Sequence, residues 1–202
     1  MKRYYQIILM FFVITPLMAG CLTVRFVEPY DAVLDEGLTS LQGNTAAFVA
    51  RMGAVQSKPE GQFNSVEVQE FYARNEAIIA GFVERAKILD TDKSCLPANF
   101  VGDGIKKLAD NTAELLTDLN MPYGDVEGVA KTIQSFGDGS DEISVGNCTV
   151  VILKVVQANY SIMKTLHKKK GKLSPVFGQI VGGIVGDSIR IAIKNELTKK
   201  NR

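Results

Sequence analysis

Apolar residues recur at intervals of three and four along most of this chain, which is the spacing of one face of an α-helix. The first such stripe consists of Leu34, Leu38, Leu41, Thr45, Phe48, Met52 and Val55. After a break at residues 56–61, a second stripe consists of Val68, Tyr72, Asn75, Ile79, Phe82, Ala86 and Leu89. Asn64 or Ser65 is placed to cap the second helix. These patterns predict two long helices joined by a short loop.

The second half of the chain repeats the pattern. A third stripe consists of Val101, Ile105, Leu108, Thr112, Leu115 and Leu119, and a weaker amphipathic piece covers residues 125–136. A fourth consists of Cys148, Ile152, Val155, Asn159, Ile162 and Leu166, and ends at Gly171. Ser174 and Pro175 have the form of an N-cap and first residue of a fifth helix, which reaches about Lys199. Because no segment alternates at period two, the predicted fold is all-α, an up-and-down antiparallel bundle of five long helices plus one short helix.

The first 21 residues differ from the rest in composition. Lys2 and Arg3 form a positively charged start, and residues 7–15 are uncharged and apolar apart from one threonine. This is the form of an export signal. A transmembrane helix over residues 7–27 is the alternative, but a span needs about twenty apolar residues and this run is broken by Pro16 and Gly20.

Ala19, Gly20 and Cys21 resemble the lipobox of bacterial lipoproteins. The resemblance implies cleavage before Cys21 and a lipid anchor on that cysteine. Leu22 stands where aspartate would favour retention in the inner membrane, so we expect an outer-membrane protein that faces the periplasm. An uncleaved anchor and an ordinary secretory signal are the alternatives. The expected organisation is a signal peptide (residues 1–20), a lipid tether (21–29) and a helical bundle domain (30–202).

The start of the first predicted helix also looks like that of uncharacterised bacterial lipoproteins. The similar residues are Tyr30, Asp31, Asp35, Glu36, Gly37, Leu41 and Gln42. The resemblance implies the same compartment and no activity.

Charge is unevenly distributed along the chain. Residues 21–163 contain 11 Lys or Arg against 20 Asp or Glu, whereas residues 164–202 contain 10 against 2. Nucleic acid is not an expected partner in this compartment. The basic C-terminal part is therefore expected to face an anionic envelope surface or the acidic helices of the protein itself.

Catalytic and metal-binding signatures are missing from the sequence. The single histidine, His167, precedes three lysines at a helix end, so we expect a solvated residue that stabilises the helix C-terminus. No Glu-x-x-His pair, nucleophile elbow, phosphate-binding loop or Cys-x-x-Cys occurs. The carboxylates in residues 138–142 lack calcium-loop spacing. The prediction is a protein that is not an enzyme, with no metal and no cofactor.

Two cysteines are left once Cys21 carries lipid. In an oxidising compartment we expect Cys95 and Cys148 to form a disulfide, and two separate buried thiols are the alternative. The bond requires both to lie at the same end of the bundle. The predicted short helix at residues 125–136 returns the chain, so that this is the membrane-proximal end, from which the first helix also starts. The chain path then puts residues 168–172 at the distal end and residues 199–202 near the lipid headgroups.

Polar residues interrupt the apolar stripes at similar heights in the predicted bundle. We expect Thr45, Asn75, Thr112, Asn159 and Ser188 to approach one another as a buried polar layer, with Asp187 beside it. Such a layer fixes helix register in coiled coils. The alternative is that it lines a small ligand site, with Asp187 as its charged residue.

Three glycines, Gly178, Gly182 and Gly186, recur every fourth residue in the last helix. In membranes this spacing lets helices approach closely. Charged residues at Asp187 and Arg190 favour close packing inside the soluble bundle instead.

Three functions remain open on the sequence alone. The first is a non-catalytic envelope scaffold or partner-binding module. The second is a carrier or sensor that binds a small or lipidic ligand between its helices. The third is a membrane-active assembly through the glycines of the last helix.

Overall fold

The computed structural model describes residues 30–89, 107, 110 and 148–200. Its helices are α1 (Ala32–Ala54), α2 (Val66–Ile88), α3 (Cys148–Lys170) and α4 (Pro175–Lys200), with a 3-10 turn at Pro59–Gly61 between α1 and α2. The all-α prediction is confirmed for these residues, in which no strand occurs. The predicted third and short helices lie outside them, except that Lys107 and Asp110 are helical. The count of five long helices therefore stays a prediction.

The helix boundaries follow from capping residues. The Asp31 carboxylate accepts hydrogen bonds from the backbone N–H groups of Val33 (3.0 Å) and Leu34 (3.3 Å) at the start of α1. The Ser65 hydroxyl accepts from Val68 N–H at 3.4 Å. The Ser174 hydroxyl accepts from Phe177 N–H at 3.3 Å. The N-caps predicted for α2 and α4 are thus confirmed.

The four helices alternate in direction. Asp31 at the start of α1 is paired with Arg85 at the end of α2. Thr149 at the start of α3 donates a hydrogen bond to Glu196 near the end of α4, at 3.2 Å. The Asp31 backbone N–H donates to the same Glu196 carboxylate at 3.2 Å. We call this end of the bundle, which holds Asp31, Arg85, Thr149 and Glu196, the base.

The opposite end, which we call the tip, holds the α1–α2 and α3–α4 loops. Phe63 N–H donates to the Gly171 carbonyl at 2.7 Å, and Gln62 and Lys172 form an isolated antiparallel bridge. Gly171 ends α3 with a φ of 71°, a left-handed conformation that glycine adopts without strain. The tip thus ties together the two loops, and it contains the last turn of α3.

The core is built around α3. In α3, every side chain from Thr149 to Met163 is buried except Lys154, Gln157 and Ser161. Helix α4 packs between α1 and α3, and α2 packs on the other side of α3. Helices α1 and α2, although consecutive, make far less contact with each other than with these partners. The face between α1 and α2 is therefore where a surface groove can form.

Candidate functional site

A groove runs along the surface between α1 and α2. Its volume is about 460 Å³, and its lining residues are Asn44, Ala47, Phe48, Arg51, Met52, Glu67, Glu70, Phe71, Arg74 and Asn75. These residues recur at intervals of three and four on both helices, so each helix presents one continuous face to the groove. Sequence reasoning missed this site. The lining combines stripe residues such as Phe48 and Asn75 with polar residues beside the stripes, and the sequence does not give the relative placement of the two helices.

The floor of the groove is aromatic. The rings of Phe48 on α1 and Phe71 on α2 are stacked in parallel, with centroids 3.6 Å apart and an interplanar angle of 4°. Tyr72 meets both rings edge-on, at 5.5 Å from each. Tyr160 of α3 lies behind Tyr72 at 5.9 Å. This cluster joins α1 and α2 at the bottom of the groove.

The rim of the groove is charged with both signs. Arg51 on α1 forms an ion pair with Glu67 on α2 at the end nearest the tip. Both side chains are more than half exposed, so solvent screens the pair and its contribution to stability is small. Glu70 and Arg74 continue along the α2 side and are exposed. The groove thus offers an apolar floor between alternating charges.

Asn75 forms the deepest polar part of the groove. Its side chain is 2% exposed. Burial raises the pKa of Tyr160, whereas the Asn75 amide nearby lowers it. The Tyr160 hydroxyl nevertheless forms no hydrogen bond of ordinary geometry within the described part of the chain. Asn75, a predicted member of the polar layer, therefore lies close to Tyr160. Tyr160 directly follows Asn159, another predicted member, in α3.

His167 lies beneath the aromatic floor and is fully buried. The expectation of a solvated residue is therefore wrong. Its Nδ1 lies 3.1 Å from the Tyr72 hydroxyl, and its Nε2 lies 3.4 Å from the Gly61 carbonyl oxygen. A neutral ring satisfies both contacts, with Nε2–H donating to Gly61 and Nδ1 accepting from Tyr72. The sequence misled because the α1–α2 loop folds over the end of α3, and only the tertiary structure brings that loop there.

Burial also sets the charge state of His167. It lowers the pKa of the imidazole, and the hydrogen bond to the Gly61 carbonyl offsets part of that effect. The ring packs near the aromatic rings of Phe48, Phe63 and Tyr72, with centroids 5.5–6.2 Å away. His167 thus joins α3, α2 and the α1–α2 loop through its ring contacts.

The residues predicted as a polar layer lie in different settings. Thr45, Asn75, Asn159 and Ser188 are each 1–2% exposed. The hydroxyls of Thr45 and Ser188 donate to carbonyls of their own helices, Leu41 at 2.8 Å and Val185 at 2.7 Å. Asp187 is partly exposed and paired with Arg190 at 2.7 Å. Thr112 lies outside the described residues, so a single layer stays a prediction.

The glycines of α4 also differ from one another. A Cβ atom on Gly182 would lie 2.9 Å from Val49 of α1, and one on Gly178 would lie 3.2 Å from it. A Cβ on Gly186 would meet no described atom within 4 Å, and its carbonyl accepts from Gln42 at 3.4 Å. Close packing inside the bundle thus applies to two of the three.

One described helix, α4, is long and apolar enough to cross a membrane, with a mean hydropathy of 1.4 over its most apolar window. About 33% of that window is buried against the rest of the protein. Core helices of soluble proteins pass the same test, so this property of α4 does not distinguish a buried helix from a membrane span.

The described residues contain no group of three or more His, Cys, Asp or Glu side chains that could hold a metal ion. Cys21 and Cys95 lie outside the described residues, and Cys148 begins α3 at the base. The predicted disulfide is thus untested. No protein-family model, curated protein or solved structure matches the chain.

Proposed function

We propose that the protein is a lipid-anchored envelope lipoprotein whose helical bundle binds a partner protein through the groove between α1 and α2. The observation that carries the binding role is the groove itself, an apolar floor of stacked Phe48 and Phe71 between charged rims. Clefts with an apolar floor and a few polar or charged groups at the rim are common binding sites on proteins. The proposed occupant is an amphipathic helix.

The shape of the groove supports a helix. Its lining on α1 extends from Asn44 to Met52, and on α2 from Glu67 to Asn75. Each stretch is about 12 Å long at 1.5 Å per residue, which matches two turns of a bound helix. Helices that dock in such grooves insert apolar side chains at positions i, i+3, i+4 and i+7.

Charge on the rim restricts the partner further. Arg74 and Glu70 stand on the α2 rim, and the Arg51–Glu67 pair spans the groove. The partner helix is therefore expected to carry both acidic and basic residues beside its apolar stripe. Such complementarity governs register and association rate more than affinity.

The anchor is proposed on the residues of the N-terminus. The lipobox cysteine, Cys21, precedes Tyr30 by nine residues, a tether that reaches about 30 Å at full extension. Because α1 begins at the base, the base is expected to stand close to the outer membrane. The intact mass of the mature protein should show loss of residues 1–20 and addition of acyl chains. A free thiol at Cys21 would contradict the anchor without affecting the groove.

A carrier of a small or lipidic ligand is the second candidate. It is favoured by the volume of the groove, about 460 Å³, which lies within the usual range of ligand sites. The two candidates differ in whether a small molecule copurifies with the protein. Native mass spectrometry would detect a bound small molecule, which a tryptophan at Ala47 would displace from the groove.

The partner proposal is tested by photo-crosslinking at two adjacent alanines. A benzophenone side chain at Ala47 lines the groove, whereas one at Ala46 is exposed about 100° away around α1. We expect one crosslinked envelope protein at Ala47, joined through an amphipathic helical segment, and none at Ala46. An Arg74→Glu substitution should weaken that crosslink.

Equal crosslinking at Ala46 and Ala47 would refute the groove as the partner site. A bound small molecule lost in Ala47→Trp and kept in Ala46→Trp would favour the carrier instead. Both substitutions are on the surface of the same helix, so their effects on stability are comparable.

A further inference from the structure

The tip of the bundle carries a concentrated positive charge. Lys168, Lys169 and Lys170 form the last turn of α3, Lys172 follows in the α3–α4 loop, and Lys58 lies in the α1–α2 loop. The contacts between the two loops bring these five lysines to one end of the molecule. We call them the tip lysines.

Acidic residues in the described part of the chain form no ion pair with these lysines. All five tip lysines are exposed. Glu60 is the one acidic residue in the two loops, and Glu67 beside it is already paired with Arg51. Within the described residues, the acidic helix α2 pairs with Lys164 of the basic C-terminal part through Glu76, but it supplies no partner for the tip lysines.

Two exposed valines stand at the same end. Val66, the first residue of α2, is 71% exposed, and Val176, the second residue of α4, is 70% exposed. In the described residues these are the most exposed large apolar side chains after Ile88, which lies at the base. Apolar side chains among unpaired lysines are the composition of surfaces that rest on lipid headgroups.

From this combination we propose that the tip is a docking surface for an anionic phospholipid bilayer. Lysine clusters of about four to eight residues bind anionic membranes by long-range attraction. The valines would enter the headgroup region, and the long lysine stems allow their ammonium groups to stay at the phosphate level. A soluble polyanion would gain nothing from the valines.

The tip lies at the opposite end of the bundle from the base. Helix α1 has 23 residues, so the tip stands about 35 Å from the base. If the lipid on Cys21 holds the base to one bilayer, an upright bundle points its tip at a second lipid surface. The proposal concerns the tip alone and does not depend on the groove. Its test needs an N-terminus that inserts in a bilayer, either through lipid at Cys21 or through the apolar segment at residues 7–15.

The test is capture of vesicles by the full chain held in phosphatidylcholine nanodiscs. We expect it to capture phosphatidylcholine vesicles that contain phosphatidylglycerol, to ignore pure phosphatidylcholine vesicles, and to lose capture at high salt. Lys169→Gln/Lys170→Gln should weaken the apparent affinity roughly 30-fold, about fivefold for each lysine. The matched control is Lys154→Gln/Lys194→Gln, which removes the same charge from the exposed sides of α3 and α4 and should leave capture unchanged.

A second pair of variants separates lipid from an acidic protein partner. Val66→Ser/Val176→Ser should weaken vesicle capture and leave any binding of poly-glutamate as it is. Equal losses in the tip and control lysine variants would overturn the proposal, because binding would then follow net charge. Vesicle capture that is unaffected by the valine substitutions would also overturn the proposal. The tip would then be better described as a site for an acidic ligand without an apolar part.

Discussion

Among the described glycines of α4, Gly182 has the least room for a side chain against α1, and replacing it with alanine tests how the bundle uses its glycines. A Cβ atom there would lie 2.9 Å from Val49 Cγ2, 3.2 Å from Cγ1 and 3.4 Å from Cβ. Rotation of the valine cannot relieve this crowding, because both methyl groups face the new atom and χ1 of valine is restricted in a helix.

Two opposing free energies decide the outcome. Alanine is a better helix former than glycine by about 1 kcal/mol, which favours the substitution at any position inside α4. Overpacking at a tight contact costs about 1–3 kcal/mol. The net effect of Gly182→Ala is thus a change in the free energy of unfolding between zero and about 2 kcal/mol of destabilisation.

The same helix provides matched controls. A Cβ on Gly183 or Gly186 would meet no described atom within 4 Å. Gly183→Ala and Gly186→Ala are therefore expected to stabilise the protein by up to about 1 kcal/mol. For a domain of this size that is a rise in Tm of about 2–4 °C.

Thermal unfolding of the three variants, and of Gly182→Ala in a Val49→Ala background, measures the effect. Removing the valine methyl groups should let Gly182→Ala become stabilising, which is a coupling between the two sites. If Gly182→Ala raises the Tm as much as Gly183→Ala in the wild-type background, the close approach does not limit packing and the reasoning is wrong.

Three further predictions concern other parts of the bundle. Burial lowers the folded-state pKa of His167 below the unfolded value of about 6.5, so the free energy of unfolding should decrease as the pH falls below 6.5. Chemical denaturation across this pH range should show no such decrease in His167→Gln, and an unchanged decrease would refute the prediction. Asp31→Ala should cost about 1–2 kcal/mol through the lost α1 cap, in addition to the lost ion pair with Arg85. Asp31→Asn keeps the cap and loses only that part-buried ion pair, so equal losses in denaturant midpoint would contradict this. Cys95 and Cys148 should resist alkylation until reductant is added, and two reactive thiols in the native protein would exclude the disulfide.

Local sequence was sufficient to predict the individual helices that the structure describes. The stripe on α1 is buried from Leu34 to Met52, and the fifth predicted helix matches Pro175–Lys200 closely. Ser65 and Ser174 were identifiable as caps because a side-chain oxygen satisfies N–H groups only a few residues away. These features depend on interactions within one turn, which spacing and residue type determine.

Features that depend on contacts between two helices could not be predicted from the sequence. His167 lies in a lysine-rich helix end, yet the α1–α2 loop and Tyr72 bury it completely. Gly178, Gly182 and Gly186 have equal spacing, but only the first two face Val49. Periodicity specifies which face of a helix is apolar, and it does not specify which helix covers that face or how closely.

The groove also combines features that the sequence predicts with features that only the tertiary structure decides. The sequence determined that Phe48 lies in the apolar stripe of α1, and Phe71 directly precedes Tyr72 of the α2 stripe. Only the tertiary structure decided that their rings stack and that α1 and α2 each pack mainly on other helices. The physical reason is that contacts within a helix follow from short stretches of sequence. An open surface between α1 and α2 forms because α1 packs mainly on α4 and α2 packs mainly on α3.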